Sequence, residues 1–201
     1  MALITKRHLA RDALDVAHDL LGAEFRRGAV RLKITEVEAY RWPDSACHGC
    51  HGRTRRNKTI WGPPGRAYVY LCYGLHQLLN VVTLRDGVPN AVLIRACEPV
   101  AGLSVIRRRR GGKSGPVLLT GPGKVGAALD LGRRFDGHDL TQPGGLELHR
   151  GAPPAAVLRG PRIGIGYAEE QDLRAPWRLA AADTPWVSHR ASLRSSALPL
   201  P

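Results

Sequence analysis

From Val30 to Tyr40 the chain alternates, with Val30, Leu32 and Ile34 set between Arg31 and Lys33. A period of two predicts a half-buried strand. The same parity carries Glu36, Glu38 and Tyr40 onto the buried face. An ionised carboxylate in that position is costly unless it meets a partner or the strand opens onto a wet cavity. The expectation is therefore a sheet that lines a pocket.

A chain of 201 residues with 43% apolar content can bury one substantial core. A single domain is expected over residues 1–190. Residues 191–201, which lack periodicity and end in Ala197-Leu198-Pro199-Leu200-Pro201, are expected to be a loose tail. The formal net charge of +13 and a pI near 10.5 point to a polyanionic partner, nucleic acid or an anionic membrane surface. Membrane is the weaker choice: no run reaches the roughly 18 apolar residues of a spanning helix, and the N-terminus lacks the apolar core of a secretory signal. The cytoplasm is the expected compartment, and a monomer the default. Only five of the 30 basic residues are lysine, and arginine suits two-pronged contact with phosphate.

Leu14, Ala17, Leu20 and Leu21 lie at helical spacing before Gly22, which predicts a helix over residues 11–21. Strands are expected at 23–26 and 29–38 around Arg27-Gly28, at 67–73 and 77–84 around Gly74, and at 91–97 after Asp86-Gly87. Such linked strands make an antiparallel sheet. Residues 42–65 read as a long basic loop, a second helix as starting after Gly121-Pro122-Gly123-Lys124 and running to about Leu131, and residues 162–166 and 177–181 as short strands.

Cys47-His48-Gly49-Cys50-His51 fits the pattern of covalent c-type haem attachment. That chemistry needs export, which is not signalled, and an axial sulfur for which only Met1 is present. As zinc ligands the four side chains stand too close together to converge on one tetrahedral ion. Reduced cysteines, with no metal and no cofactor, are expected. Gly121-Pro122-Gly123-Lys124 fails the Walker pattern, because Val125 stands where serine or threonine should follow the lysine. It can offer amides to one phosphate or serve as an ordinary helix entry. Arg107 to Arg110 reads equally as a phosphate stripe or a solvated helix end.

A third constellation combines Glu38, Tyr40, His48, Tyr70, Tyr73, Asn80 and Arg95. Arg95 interrupts an apolar strand and needs an anion, which Glu38 or a DNA phosphate supplies. Tyr73 precedes Gly74 at the tip of a hairpin, where an exposed ring has the shape of a wedge between bases.

The segments Glu36-Val37-Glu38-Ala39-Tyr40, Tyr68-Val69-Tyr70 ending in Tyr73-Gly74, Asn80, Val92-Leu93-Ile94-Arg95-Ala96, Gly121-Pro122-Gly123-Lys124, Arg162-Ile163-Gly164-Ile165-Gly166 and Pro185-Trp186-Val187-Ser188 resemble, in order, the alkyladenine (3-methyladenine) DNA glycosylase family, here as a bacterial member. The resemblance spans roughly residues 14–189. It implies an α+β fold, one compact domain with a curved antiparallel sheet, a partly open barrel flanked by helices. It also implies excision of alkylated or deaminated purines from double-stranded DNA by water, without a metal. In that mapping Glu38 is the general base, with Glu36 the less favoured neighbour. Arg95 and the Val187 carbonyl help hold the water. Tyr40 stacks on one face of the flipped base, and His48 and Tyr70 on the other. Asn80 crowds the 2-amino group of guanine, and Tyr73 fills the gap left in the duplex. The chain departs from vertebrate members at Leu75, His76 and the Cys47 to His51 segment. Rival readings are a non-enzymatic basic DNA- or RNA-binding domain, which leaves Glu38 without a purpose, and a metal or haem protein.

Overall fold

The computed structural model describes residues 2–195. A short helix α1 (Lys6–Leu9) leads into α2 (Ala13–Leu20), which begins where Asp12 accepts a hydrogen bond from the Leu14 amide at 2.9 Å. It ends before Gly22, whose φ of +87° and approach to the Ala152 carbonyl leave no room for a side chain. The apolar stripe Val16, Ala17 and Leu20 is fully buried. Removing the Leu20 side chain would cost roughly 2–5 kcal/mol.

Strands β1 (Glu24–Arg27) and β2 (Val30–Tyr40) pair around Gly28, one residue later than the alternation suggests. Next come β3 (Ala67–Cys72), β4 (His76–Val82) and β5 (Ala91–Ala101). Helices α3 (Leu103–Arg109) and α4 (Pro122–Ala128) precede β6 (Glu147–His149) and β7 (Val157–Gly160). Helix α5 (Glu170–Arg174), β8 (Arg178–Ala181) and β9 (Arg194–Ser195) complete the order. Among the described residues nine strands form one antiparallel sheet in an α+β fold, with the path β3-β4-β5-β2-β8-β7-β9, β1 attached to β2 and β6 to β1. The path does not close into a barrel. No helix among the described residues is long and apolar enough to cross a membrane.

Parity along β2 does not persist. Ile34 pairs with Cys97 and Val37 with Ile94, and all four belong to the main core. Two residues therefore separate successive core positions on each strand, Thr35 and Glu36 on β2 and Arg95 and Ala96 on β5. The register shifts on either side of Glu36 mark this irregularity. The consequence corrects the alternation: Val37 and Ala39 take over the core, while Glu36, Glu38 and Tyr40 turn to the opposite face. Helices α2 and α4 cover the core face, and Gly126 brings α4 so near to β4 that a Cβ would lie 2.0 Å from the Gln77 carbonyl oxygen. The other face is left for a site.

Two further expectations change. Residues 162–166 are an irregular turn rather than a strand: the Arg162 side chain and the Ile163 amide are taken up by Ala39, Asp44 and Glu38, and the strand in this region, β7, lies earlier and ends at Gly160. The first part of the expected tail is ordered: Arg190–Ser192 is a 3₁₀ turn and β9 pairs with β7. Residues 196–201 lie outside the described residues.

Candidate active site

The face opposite the core carries a cleft of about 810 Å³. Its walls come from the sheet, two loops and, along the basic side, the segment from Arg110 to Lys124. Strands β2, β3, β4 and β5 give Tyr40, Tyr70, Asn80, Leu93 and Arg95; the 42–65 segment gives His48 and Arg56; the turn after β7 gives Ile163 to Ile165. The 42–65 segment is organised rather than loose. Asn57 donates to the carbonyls of His48 and Gly52 at 2.7 and 2.9 Å, and Lys58–Trp61 forms a 3₁₀ turn. These bonds seat His48 over the cleft.

Glu38 lies beneath Tyr40 and Arg95, fully buried. Its Oε1 receives the Ile163 amide at 2.7 Å and faces Arg95 Nη1 at 3.2 Å, and its Oε2 receives the Tyr40 hydroxyl at 2.9 Å. Burial pushes the Glu38 carboxyl above the usual range, and Arg95, the Ile163 amide and Tyr40 pull it back. The Tyr40 phenol is held well above its ordinary value, by burial first and then by the Glu38 charge. Burial opposes the charge of Arg95, but the two carboxylates outweigh it and keep the guanidinium protonated.

Glu36 is also fully buried but faces another way. It accepts from Arg95 Nε at 3.1 Å, Arg178 Nη1 at 3.0 Å, the Ser188 amide at 2.6 Å and the Ser188 hydroxyl at 2.8 Å. Val187 therefore sits beside an anchored Ser188, packed with Ala180 and Leu193. Glu36 is enclosed in this knot, whereas the donors around Glu38 all line the cleft.

Tyr70 packs edge-on to His48 with ring centres 4.6 Å apart, and His48 Nδ1 lies 3.0 Å from the Tyr68 hydroxyl. Burial, then Arg56, lowers the His48 pKa and keeps the ring neutral. Asn80 is buried in the wall and donates to the Tyr68 carbonyl at 3.1 Å. Tyr73 stands at the tip between β3 and β4, with φ +50°, and is 87% exposed; Leu75 beside it is 79% exposed. Arg56, Arg110, Lys113 and Lys124 make the cleft basic, and His76 packs against Gly123 there.

The structure thus brings Tyr40, His48, Tyr70, Asn80 and Arg95 around one cavity, with Glu38 buried directly behind Tyr40, Arg95 and Ile163, and places Tyr73 on its rim. The cysteines of the Cys47 to His51 segment, unlike His48, stand outside the cavity's lining. Cys47, its thiol pushed up to about 12 by burial, donates to the Pro89 carbonyl, and Cys50 to that of Ser45. No group of three or more potential ligands is gathered for a metal among the described residues. The sequence reading gave no site role to Asp44, Arg162, Ile163 or Arg178, all next to the site, although Arg162 and Ile163 stand in one of the family-like segments. Both arginines stand in largely apolar surroundings in the sequence, the signal that singled out Arg95.

The profile of the methylpurine-DNA glycosylase (MPG) family matches residues 7–185. A Nitrosococcus oceani protein provisionally named 3-methyladenine DNA glycosylase is 63% identical over 193 residues, covering 96% of each chain. A DNA-3-methyladenine glycosylase of Arabidopsis thaliana is 54% identical over 190 residues, 94% of this chain and 75% of the relative. A Rhizobium meliloti protein, provisionally named like the first, is 45% identical over 182 residues, 90% and 94% of the two chains. With a match over most of its length and relatives this similar from bacteria and a plant, the chain belongs to the methylpurine-DNA glycosylase family.

Proposed function

We propose that this protein flips damaged purines out of double-stranded DNA and hydrolyses their glycosidic bond, releasing 3-methyladenine, 7-methylguanine, hypoxanthine and ethenoadenine and leaving an abasic site. The observation that carries the reading is Glu38, a buried carboxylate held by Arg95, Ile163 and Tyr40, three residues that line an aromatic cleft.

The chemistry follows from the parts. The purine leaves C1′ with the bonding electron pair, so positive charge develops on the sugar. A carboxylate beside C1′ stabilises that charge and takes a proton from the attacking water, whose oxygen bonds to C1′. Arg95 and the Val187 carbonyl orient this water. Alkylation at N3 or N7 makes the base cationic, a better leaving group and a stronger partner for electron-rich rings. Tyr40 stacks on one face, with His48 and Tyr70 on the other. Stacking worth about 1–3 kcal/mol per base offsets a flipping cost of a few kcal/mol. Tyr73 occupies the gap in the duplex, and Asn80 crowds the guanine 2-amino group. The basic rim meets the phosphates.

Duplexes containing hypoxanthine or 3-methyladenine test the proposal directly. Base release that persists in EDTA, with an abasic site and no strand cleavage, is expected. Tight duplex binding with no release from any lesion would favour a non-enzymatic DNA-binding domain, and loss of release in EDTA restored by zinc would favour a metal site.

A further inference from the structure

Behind the Tyr40 wall, Arg162 and Asp44 form an ion pair whose side chains are wholly buried. The grip is two-pronged, Nη1 to Oδ2 and Nη2 to Oδ1, the latter at 2.9 Å. The same guanidinium donates to the Ala39 carbonyl at 3.0 Å and the Asp172 carbonyl at 3.2 Å. Its central carbon lies 4.7 Å from the centre of the Tyr40 ring and 4.8 Å from that of Trp177. Asp44 in turn accepts from the Ala46 amide at 2.9 Å.

A buried ion pair is a poor route to stability, since apolar residues of similar volume often do as well or better. What the planar fork achieves, and an apolar pair cannot, is to fix several backbone segments to one point. Here those segments are β2 at Ala39, the 44–46 turn that leads to His48, and the 161–163 turn. Each carries part of the cleft. The Ile163 amide that binds Glu38 is the very next one along the chain from Arg162, and Arg178 Nε holds the Pro161 carbonyl at 2.8 Å on the other side.

We propose that Arg162, clamped by Asp44, is a positioning residue for base excision: it sets the Ile163 N–H against Glu38 and braces the Tyr40 ring from behind. The proposal rests on the reading of Glu38 as the base and Tyr40 as a stacking surface. Around Glu38 stand Arg95 from β5, Tyr40 and Glu36 from β2 and the Ile163 amide, with Arg162 and Tyr70 further out. Arg95, Ile163 and Tyr40 favour the ionised carboxylate, and burial and Glu36 oppose it. If the 161–163 turn drifts, one of three supports is lost, so Glu38 holds its proton to a higher pH.

The test uses Arg162→Lys, which keeps the charge but not the fork, and Asp44→Asn, which loosens the clamp from the other side. Single-turnover release of 7-methylguanine from a duplex is followed across pH. Both variants are expected to lose roughly tenfold to a hundredfold in rate at neutral pH, with the acid limb moved up by about one pH unit. Binding to undamaged duplex should not change. An unchanged rate, or a slower one with the limb unmoved, would mean that the pair is merely structural. In the wild-type chain the Ile163 amide should exchange slowly with deuterium, and faster in either variant. Fast wild-type exchange overturns the proposal even if both variants fold badly. If wild type and Glu38→Gln both release nothing, the functional reading has failed instead, and amide exchange still decides the placement of Ile163.

Discussion

Glu36 and Glu38 lie two residues apart on one strand and hold opposite sides of one guanidinium, Arg95 Nε to Glu36 at 3.1 Å and Arg95 Nη1 to Glu38 at 3.2 Å. Arg95 thus faces a carboxylate that is locked into the scaffold on one side and, on the other, one held just behind the cleft wall by donors that line the cleft. The two acids should separate cleanly by mutation. Glu38→Gln keeps size and hydrogen bonding but loses the base, so excision should vanish while lesion binding stays intact or tightens. Glu36→Gln leaves Arg178 and Arg95 under-compensated in the interior and should cost roughly 3–5 kcal/mol of stability, read as a fall in Tm. An active Glu38→Gln beside an inactive, stable Glu36→Gln would reverse the assignment.

A pH profile carries the next expectation. Because burial raises the Glu38 pKa, its base form is lost on acidification at a higher pH than the roughly 4.3 of an ordinary glutamate. The rate of 7-methylguanine release should rise with pH through that raised value and then level off. Hypoxanthine is neutral and needs a proton to leave, so its profile should also fall at high pH. Single-turnover rates decide the point: superimposable profiles, or an acid limb at the ordinary value, would contradict it.

Asn80 is expected to exclude guanine. Asn80→Ser and Asn80→Gly make room for the exocyclic amine, and release of normal guanine should increase by about tenfold or more. The side chain also bonds the Tyr68 carbonyl at 3.1 Å, which adds about 1 kcal/mol of stability. A variant that loses stability without releasing guanine would show that this bond is its whole role.

Tyr73→Ala should weaken binding to a lesion duplex by about 1–3 kcal/mol, because the gap left by the flipped base is no longer filled. Affinity for undamaged duplex, which depends on the basic rim, should hardly change and should fall steeply with salt. Competition binding on the two duplexes measures both. Equal losses on each would remove the wedge role.

Strands β1 to β5 and β8, their hairpins and the aromatic and charged members of the cleft were legible in the sequence because each leaves a local mark: alternation, a glycine turn, a charge in an apolar run; the short β6, β7 and β9 leave too little pattern to be read. The switch of faces at Thr35 and Glu36 leaves none. Residues 34 to 39 are buried on both sides of the sheet, so alternation cannot tell which side is the core. Ile163 and Ile165 alternate like a strand, yet the Ile163 amide serves a carboxylate on β2 instead of a ladder. Arg162 and Asp44 meet across 118 residues of chain, a distance that no local pattern spans.

The extra residue is present on both β2 and β5, which ties their lengths together. Deleting one residue from β2 ahead of Glu36 would exchange the destinations of everything beyond it, sending Val37 and Ala39 into the cleft and Glu38 into hydrocarbon. A matching deletion in β5 would be needed merely to keep Arg95 opposite its carboxylates. Length changes within this strand pair are therefore tolerated only in concert, whereas substitutions on the core face can accumulate without moving Glu38.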